Sequence, residues 1–208
     1  MAATLLKIHP HNPSDQKIGR IINTLKKGGM IIYPTDTVYG LGCDLFNKNA
    51  IDKLCRLIGI KPHKLNLSFI CHDLCDISDY ARNITTPLFK LMKKSLPGPY
   101  TYILNSRSSV PKILGINKKT VGIRVPDNEI TREIVRGLGN PIINASLKDA
   151  DAIVAYMTDP EQIYKRYKLT VDIVIDGGPG GNIPSTVIDC TGEEYEVVRE
   201  GLGDTEDL

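Results

Sequence analysis

Hydroxyls, amides and one arginine recur wherever the apolar runs of this 208-residue sequence give out. Thr35 and Thr37 follow "IIYP", Thr120 and Arg124 bracket "VGI", Asn144 and Ser146 close "PII", and Ser185 and Thr186 follow "GGPGGNIP". Strand ends lined in this way suit a ligand rich in oxygens. Arg124 is the best single anchor among them, because a planar guanidinium fork binds two oxygens of a carboxylate or phosphate at once. The same arginine could equally hold a neighbouring acid in an ion pair, and the sequence leaves both readings open. The stretch "YPTDTVYGLGCD" raises a related question. Hydroxyls followed by glycines let the backbone come close to something, either another strand or a ligand.

Other chemistries find little support. "DGGPGGNIPSTVID" is rich in glycine but lacks Gly-Lys-Ser/Thr, and strand patterns flank it where a phosphate-binding P-loop would open a helix. There is no Gly-x-Ser-x-Gly elbow and no His-Glu-x-x-His, and His9, His11, His63 and His72 form no ligand pattern. Cys43, Cys55, Cys71, Cys75 and Cys190 make no Cys-x-x-Cys pair, and their odd number suggests reduced, mostly buried thiols rather than a zinc site. No catalytic side chain and no metal ligand is expected.

The elements that must position the strand-end residues follow from periodicity. "SDQKIGRIINTLKKGG" reads as a helix capped by Ser14, with Ile18, Ile21, Ile22 and Leu25 on one face and Gly28-Gly29 as its stop. "NKNAIDKLCRLIG", "ITTPLFKLMKKSLPG", "EITREIVRGLG" and "DPEQIYKRYK" read as further helices. "MIIYP", "LNLSFICHD", "YTYILNS", "TVGIRVPDN", "PIINASL", "VDIVIDGG", "STVIDCTG" and "EYEVVREG" read as strands. Strands joined partly through helices and partly through tight turns indicate an α/β or α+β fold around one twisted mixed sheet. Neither repeats nor linker-like stretches interrupt the chain, so residues 1–208 are expected to form one domain.

The composition, 41% hydrophobic and 24% charged, is that of a globular protein with a full core. No apolar run approaches the roughly 20 residues that span a bilayer. The apolar stretch in "MAATLLKIHPHNPSDQ" is too short for a signal peptide, so a cytoplasmic location is expected. Net charge is +2, but residues 1–125 hold 19 Lys and Arg against 7 acids, while residues 126–208 hold 7 against 17. The basic half could attract nucleotides or RNA, or the two halves could simply neutralise each other.

Taken in order, "KKGGMIIYPTDTVYGLGCD", "TVGIRVPDN", "PIINAS", "GGPGGNIPSTVID" and "VVREG" resemble the YrdC/YciO family, the threonylcarbamoyl-adenylate synthase superfamily, over residues 17–204. The resemblance implies a twisted mixed sheet with flanking helices around a large concave cavity, a fold shared with dihydroxybutanone phosphate synthase. It implies a nucleotidyltransferase. In the synthases that the chain resembles, L-threonine and bicarbonate form a carbamate, which attacks the α-phosphate of ATP, releasing pyrophosphate and giving the threonylcarbamoyl-adenylate used in tRNA modification. Positioning and charge neutralisation carry such a step, with Mg²⁺ on the phosphates.

By position, Thr37, Arg124, Asn144 and Ser185 resemble the family's threonine contacts, and Asn66, Thr120, Ser146 and Arg199 its nucleotide contacts. Two departures resemble the YciO branch. Ile58 and Ile60 stand where synthases carry Lys-x-Arg, with Lys61 or Lys64 as substitutes only if the loop is shifted. Ser-Ala-Asn reads Ser146-Leu147-Lys148. The resemblance also allows a binding protein for nucleotides, tRNA or double-stranded RNA that turns nothing over.

Overall fold

The computed structural model describes residues 2–60, 68–110, 119–146 and 157–206. Among these, ten strands join in one mixed sheet. They are β1 (Thr4–Lys7), β2 (Met30–Tyr33), β3 (Gly40–Asp44), β4 (Ser68–Ile70), β5 (Tyr100–Asn105), β6 (Thr120–Arg124), β7 (Ile142–Ser146), β8 (Ile173–Asp176), β9 (Thr186–Asp189) and β10 (Glu196–Arg199). Their order across the sheet is β1-β8-β2-β3-β7-β4-β6-β5-β9-β10. The β1–β8, β8–β2, β4–β6 and β5–β9 pairs are parallel, and the other neighbours are antiparallel.

Among the described residues the flanking helices include α1 (Asp15–Lys26), α2 (Lys48–Leu57), α3 (Ile77–Tyr80), α4 (Thr86–Ser95), α5 (Glu129–Leu138) and α6 (Pro160–Tyr167). Their ends follow the sequence signals. Asn47 caps α2 by accepting from the Ala50 amide, and Asn128 caps α5 by accepting from Thr131. Gly139 ends α5 in the left-handed conformation at φ 82°. Ser14 takes the N-cap position of α1 without a side-chain hydrogen bond. No helix among the described residues is long and apolar enough to cross a membrane.

Apolar residues on both sheet faces find helices to pack on. On one face Leu41, Phe69, Ile123 and Tyr102 meet α2, α3, α4 and α6 through residues such as Leu54, Tyr80, Met92 and Ile163. On the other, Ile31, Tyr33, Ile70 and Ile173 meet α1 and α5 through Ile21, Leu25, Ile130 and Ile134. Burying one such side chain contributes about 1.5–3 kcal/mol.

Three elements differ from the sequence reading. Thr4–Lys7, within the stretch weighed only as a targeting segment, is strand β1 at the sheet edge. "GLGCD", where the sequence predicts loop, is the fully buried strand β3, antiparallel to β2 in register Tyr33–Gly40. Leu74–Tyr80 forms a 3-10 turn running into α3 where no helix is expected.

Candidate functional site

The pairing register sets the small and polar strand residues on one face. Directly paired residues share a face, and neighbours along a strand alternate. One unbroken row crosses six strands as Gly42, Asn144, Ser68, Gly122, Ile103 and Asp189. The same alternation puts Thr120 and Arg124 on that face of β6, at i−2 and i+2 from Gly122. α1 and α5 cover this face only over β1, β8, β2 and the nearer ends of β7 and β4. Beyond them Ser68, Ile103, Thr120, Gly122 and Asp189 are partly exposed, while Phe69, Tyr102, Val121 and Ile188 on the reverse are buried. The result is a partly exposed, mostly polar strip with Gly122 at its centre.

At one end of the strip Arg124 lies almost wholly buried, with its side chain 5% exposed. Its Nη2 donates to Thr37 Oγ1 at 2.8 Å and to Thr35 Oγ1 at 3.3 Å, and forms an ion pair with Asp36 Oδ1. The three acceptors sit on the turn between β2 and β3, which is pinned from several sides. Thr35 Oγ1 donates to the Val38 carbonyl, Thr131 Oγ1 of α5 donates to the Pro34 carbonyl, and the Gly181 amide donates to the Thr37 carbonyl. A Cβ at Gly181 would lie 2.4 Å from that Thr37 oxygen, so the residue must be glycine for the two loops to meet. Of the two readings open for Arg124, the structure contains the ion pair.

Next to it lies a second cluster. The Tyr33 hydroxyl donates to Asn144 Oδ1 at 2.5 Å, and Asn144 Nδ2 donates to Ser68 Oγ at 3.3 Å. The Tyr33 ring fills the space over β3, since a Cβ would lie 2.8 Å from its Cζ at Gly40 and 3.0 Å from its Cε1 at Gly42. The question raised by "YGLG" is therefore answered by a side chain of the adjacent strand and by β7. These two glycines make room for a tyrosine rather than for a ligand. Burial pushes the Tyr33 hydroxyl up well above the usual tyrosine value, against the pull of the Arg124 charge, so it stays a donor. Tyr33→Phe would leave Asn144 Oδ1 without its donor. A loss of about 1–2 kcal/mol in urea denaturation is expected.

The third cluster surrounds Ser185. Its Oγ is 2.9 Å from Thr101 Oγ1, and Arg199 grips its carbonyl from Nη2 at 2.7 Å and Nε at 3.2 Å. Thr186 Oγ1 donates to the Gly203 carbonyl and accepts from the Gly201 amide, and the Leu202 amide donates to the Pro184 carbonyl. The segment 200–204 thus straps the start of β9. The β5–β6 register, continued one step, brings Thr101 beside Arg124 and joins this cluster to the first.

Of the residues expected from sequence, Thr37 and Arg124 touch directly, Asn144 and Thr120 share their strip, and Ser185 and Arg199 form one unit. Arg199 is engaged on the Ser185 backbone, a positioning contact. Ser146 ends β7 opposite Gly40. Asn66, like Lys61, Lys64, Leu147 and Lys148, lies outside the described residues. Ile58 is partly buried against the core at the end of α2, and Ile60 is exposed. Sequence reasoning missed Tyr33, Asp36 and Ser68 as site residues. Asp36 stood between the two threonines, the obvious acid for the ion pair that was weighed. Among the described residues no group of three or more His, Cys, Asp or Glu could hold a metal ion.

A mixed-sheet α/β protein with a buried arginine beside a mostly polar strip of strand residues is the class that fold and site define. A family model described as telomere recombination, covering Sua5, YciO and YrdC proteins, matches residues 23–201, and the chain belongs to that family. YciO of Escherichia coli K12 is 40% identical over 198 residues, 95% of each chain. The E. coli YciO crystal structure superposes with a TM-score of 0.90 at 38% identity, covering 99% of this chain and 98% of that one. A Methanocaldococcus jannaschii protein provisionally named threonylcarbamoyl-AMP synthase is 32% identical over 206 residues, 95% of this chain and 93% of its own. The fold also matches P. abyssi Sua5 complexed with L-threonine, with a TM-score of 0.85 at 24% identity over 96% of this chain and 58% of that one.

Proposed function

We propose that the protein is a threonylcarbamoyl-adenylate synthase, which joins the carbamate of L-threonine to the adenylate of ATP with release of pyrophosphate, the threonylcarbamoyl-adenylate serving tRNA modification. The observation that carries this reading is Arg124, a buried guanidinium at a strand end, bordered by the Thr35 and Thr37 hydroxyls and on the same sheet face as Ser68, Thr120 and Asn144. That set matches a small hydroxylated carboxylate on one side and the oxygens of a nucleotide on the other. A relative of similar length named for this activity, and a protein of the same fold crystallised with L-threonine, support it. Arg124 would take the threonine carboxylate, with Thr37, Asn144 and Ser185 around the amino acid. Thr120, Ser146, Asn66 and Arg199 would border the nucleotide. Mg²⁺ would arrive on the ATP phosphates, whose oxygens it prefers.

Pyrophosphate release is expected only when ATP, L-threonine and bicarbonate are all present, because the nucleophile exists only after threonine is carboxylated. The rate should be low. Ile58 and Ile60 stand where the synthases carry cations that would each add about 1.5–3 kcal/mol of charge-assisted hydrogen bonding, so a deficit of about 10²- to 10⁴-fold follows. Omitting each component in turn tests the reading, and ATP turnover indifferent to threonine would refute it. A second reading, a nucleotide- or double-stranded-RNA-binding protein without turnover, is favoured by the same two isoleucines. ATP binding with no pyrophosphate under any condition would select it.

A further inference from the structure

The Arg124–Asp36 pair is incomplete in a specific way. Arginine and carboxylate usually meet through two parallel hydrogen bonds. Here a single nitrogen, Nη2, serves Asp36, Thr35 and Thr37, while Arg124 Nε and Asp36 Oδ2 are both buried without a partner. The two side chains are only 5% and 10% exposed. Buried polar atoms are nearly always satisfied, and those of charged groups are the most costly to leave bare. The loop is held where it lies, because the Pro34 carbonyl accepts from Thr131 of α5 and the Thr37 carbonyl from the Gly181 amide.

The two bare atoms have opposite polarity. One is a cationic donor with nothing to donate to, the other an anionic acceptor with nothing to accept. A simple carboxylate that drew Arg124 away from Asp36 would cure the first and worsen the second, leaving Asp36 as a buried anion without a counter-ion. A carboxylate that also carries an ammonium group cures both, exchanging one half-made ion pair for two. We propose that Asp36 makes the Arg124 site selective for α-amino acids over carboxylates that lack the amine, by receiving the ligand's ammonium as Arg124 receives its carboxylate. This rests on the reading of Arg124 as a carboxylate anchor, and it assigns to Asp36 a specificity role in the first binding step.

The test compares L-threonine with 3-hydroxybutyrate, which is threonine without its ammonium, by calorimetric titration of the purified protein. The wild type should bind threonine at least tenfold more tightly. In Asp36→Asn that preference should shrink to threefold or less, with 3-hydroxybutyrate binding more tightly than it does to the wild type, a gain that mere damage to the site would not give. Asp36→Glu, which keeps the carboxylate, should keep the preference. Equal binding of the two probes by the wild type, or an undiminished preference in an Asp36→Asn variant folded by circular dichroism, overturns the proposal and leaves Arg124 as a plain carboxylate anchor. If neither probe binds the wild type, the threonine reading is overturned along with the proposal.

Discussion

Raising the pH of the purified protein above about 10 is expected to unfold it cooperatively. Burial pushes Tyr39, Tyr80 and Tyr102 up to about 12 and Tyr33 further, while the Cys43 thiol rises to about 12, Cys190 to about 11 and Cys71 beyond both. These are groups that are neutral when protonated and whose folded values exceed their unfolded ones. The unfolded chain therefore ionises first, near pH 8.5 for thiols and near pH 10 for phenols. Their stabilising contribution is complete below those values and is withdrawn as the pH climbs towards the folded ones. Each fully buried group withdraws about 1.4 kcal/mol per pH unit in that window. Tyr33, Cys43 and Cys71 alone thus remove about 4 kcal/mol per unit above pH 10, against the 5–15 kcal/mol that holds a typical domain together. Tyrosinate absorbance and far-UV circular dichroism should change together. Smooth tyrosine titration in a chain that stays folded would show the hydroxyls to be accessible after all.

Arg124→Ala should be the most damaging single substitution at the site. It strands Asp36 as a buried carboxylate, and breaking such a pair costs about 3–5 kcal/mol. Amino-acid binding should vanish with it. The double variant Arg124→Ala/Asp36→Ala removes the stranded charge, so most of the stability should return in urea denaturation while threonine binding does not. If the double variant binds threonine, the anchor lies elsewhere. If it is no more stable than the single variant, the ion pair is incidental to the fold.

Much of the fold could be read from periodicity. The helices with a wide apolar stripe, such as Ile130, Ile134, Val135 and Leu138 in α5, are found where the spacing sets them. β3 escaped because two of its five residues are glycines, which carry no hydrophobic signal and read as loop. Their purpose depends on Tyr33 across the strand pair, a partner that local pattern cannot name. β1 escaped because four residues at a sheet edge are too short to show alternation, and its partner β8 lies about 170 residues away. At the site, Thr37 and Arg124 were legible from residue type and from family resemblance. Ser68 was not, because its place beside Asn144 and Gly122 comes from cross-strand register, whereas Asp36 had its signal in the sequence, an acid set between Thr35 and Thr37.

The strap over Ser185 also has a meaning in time. The hydroxyl of Thr186 and the carbonyl of Pro184 are held by residues 201–203, and the Tyr100 hydroxyl donates to the carbonyl of Asp204. A nascent chain emerging from the ribosome exposes Thr37, Arg124 and Asn144 long before those fasteners exist. β9, meanwhile, must wait to pair with β5, made some eighty residues earlier. Such long-range closure is slow. The cluster around Ser185 is therefore completed only when residue 204 has cleared the exit tunnel, and the carboxyl-terminal strap is the last part of this region to be fastened.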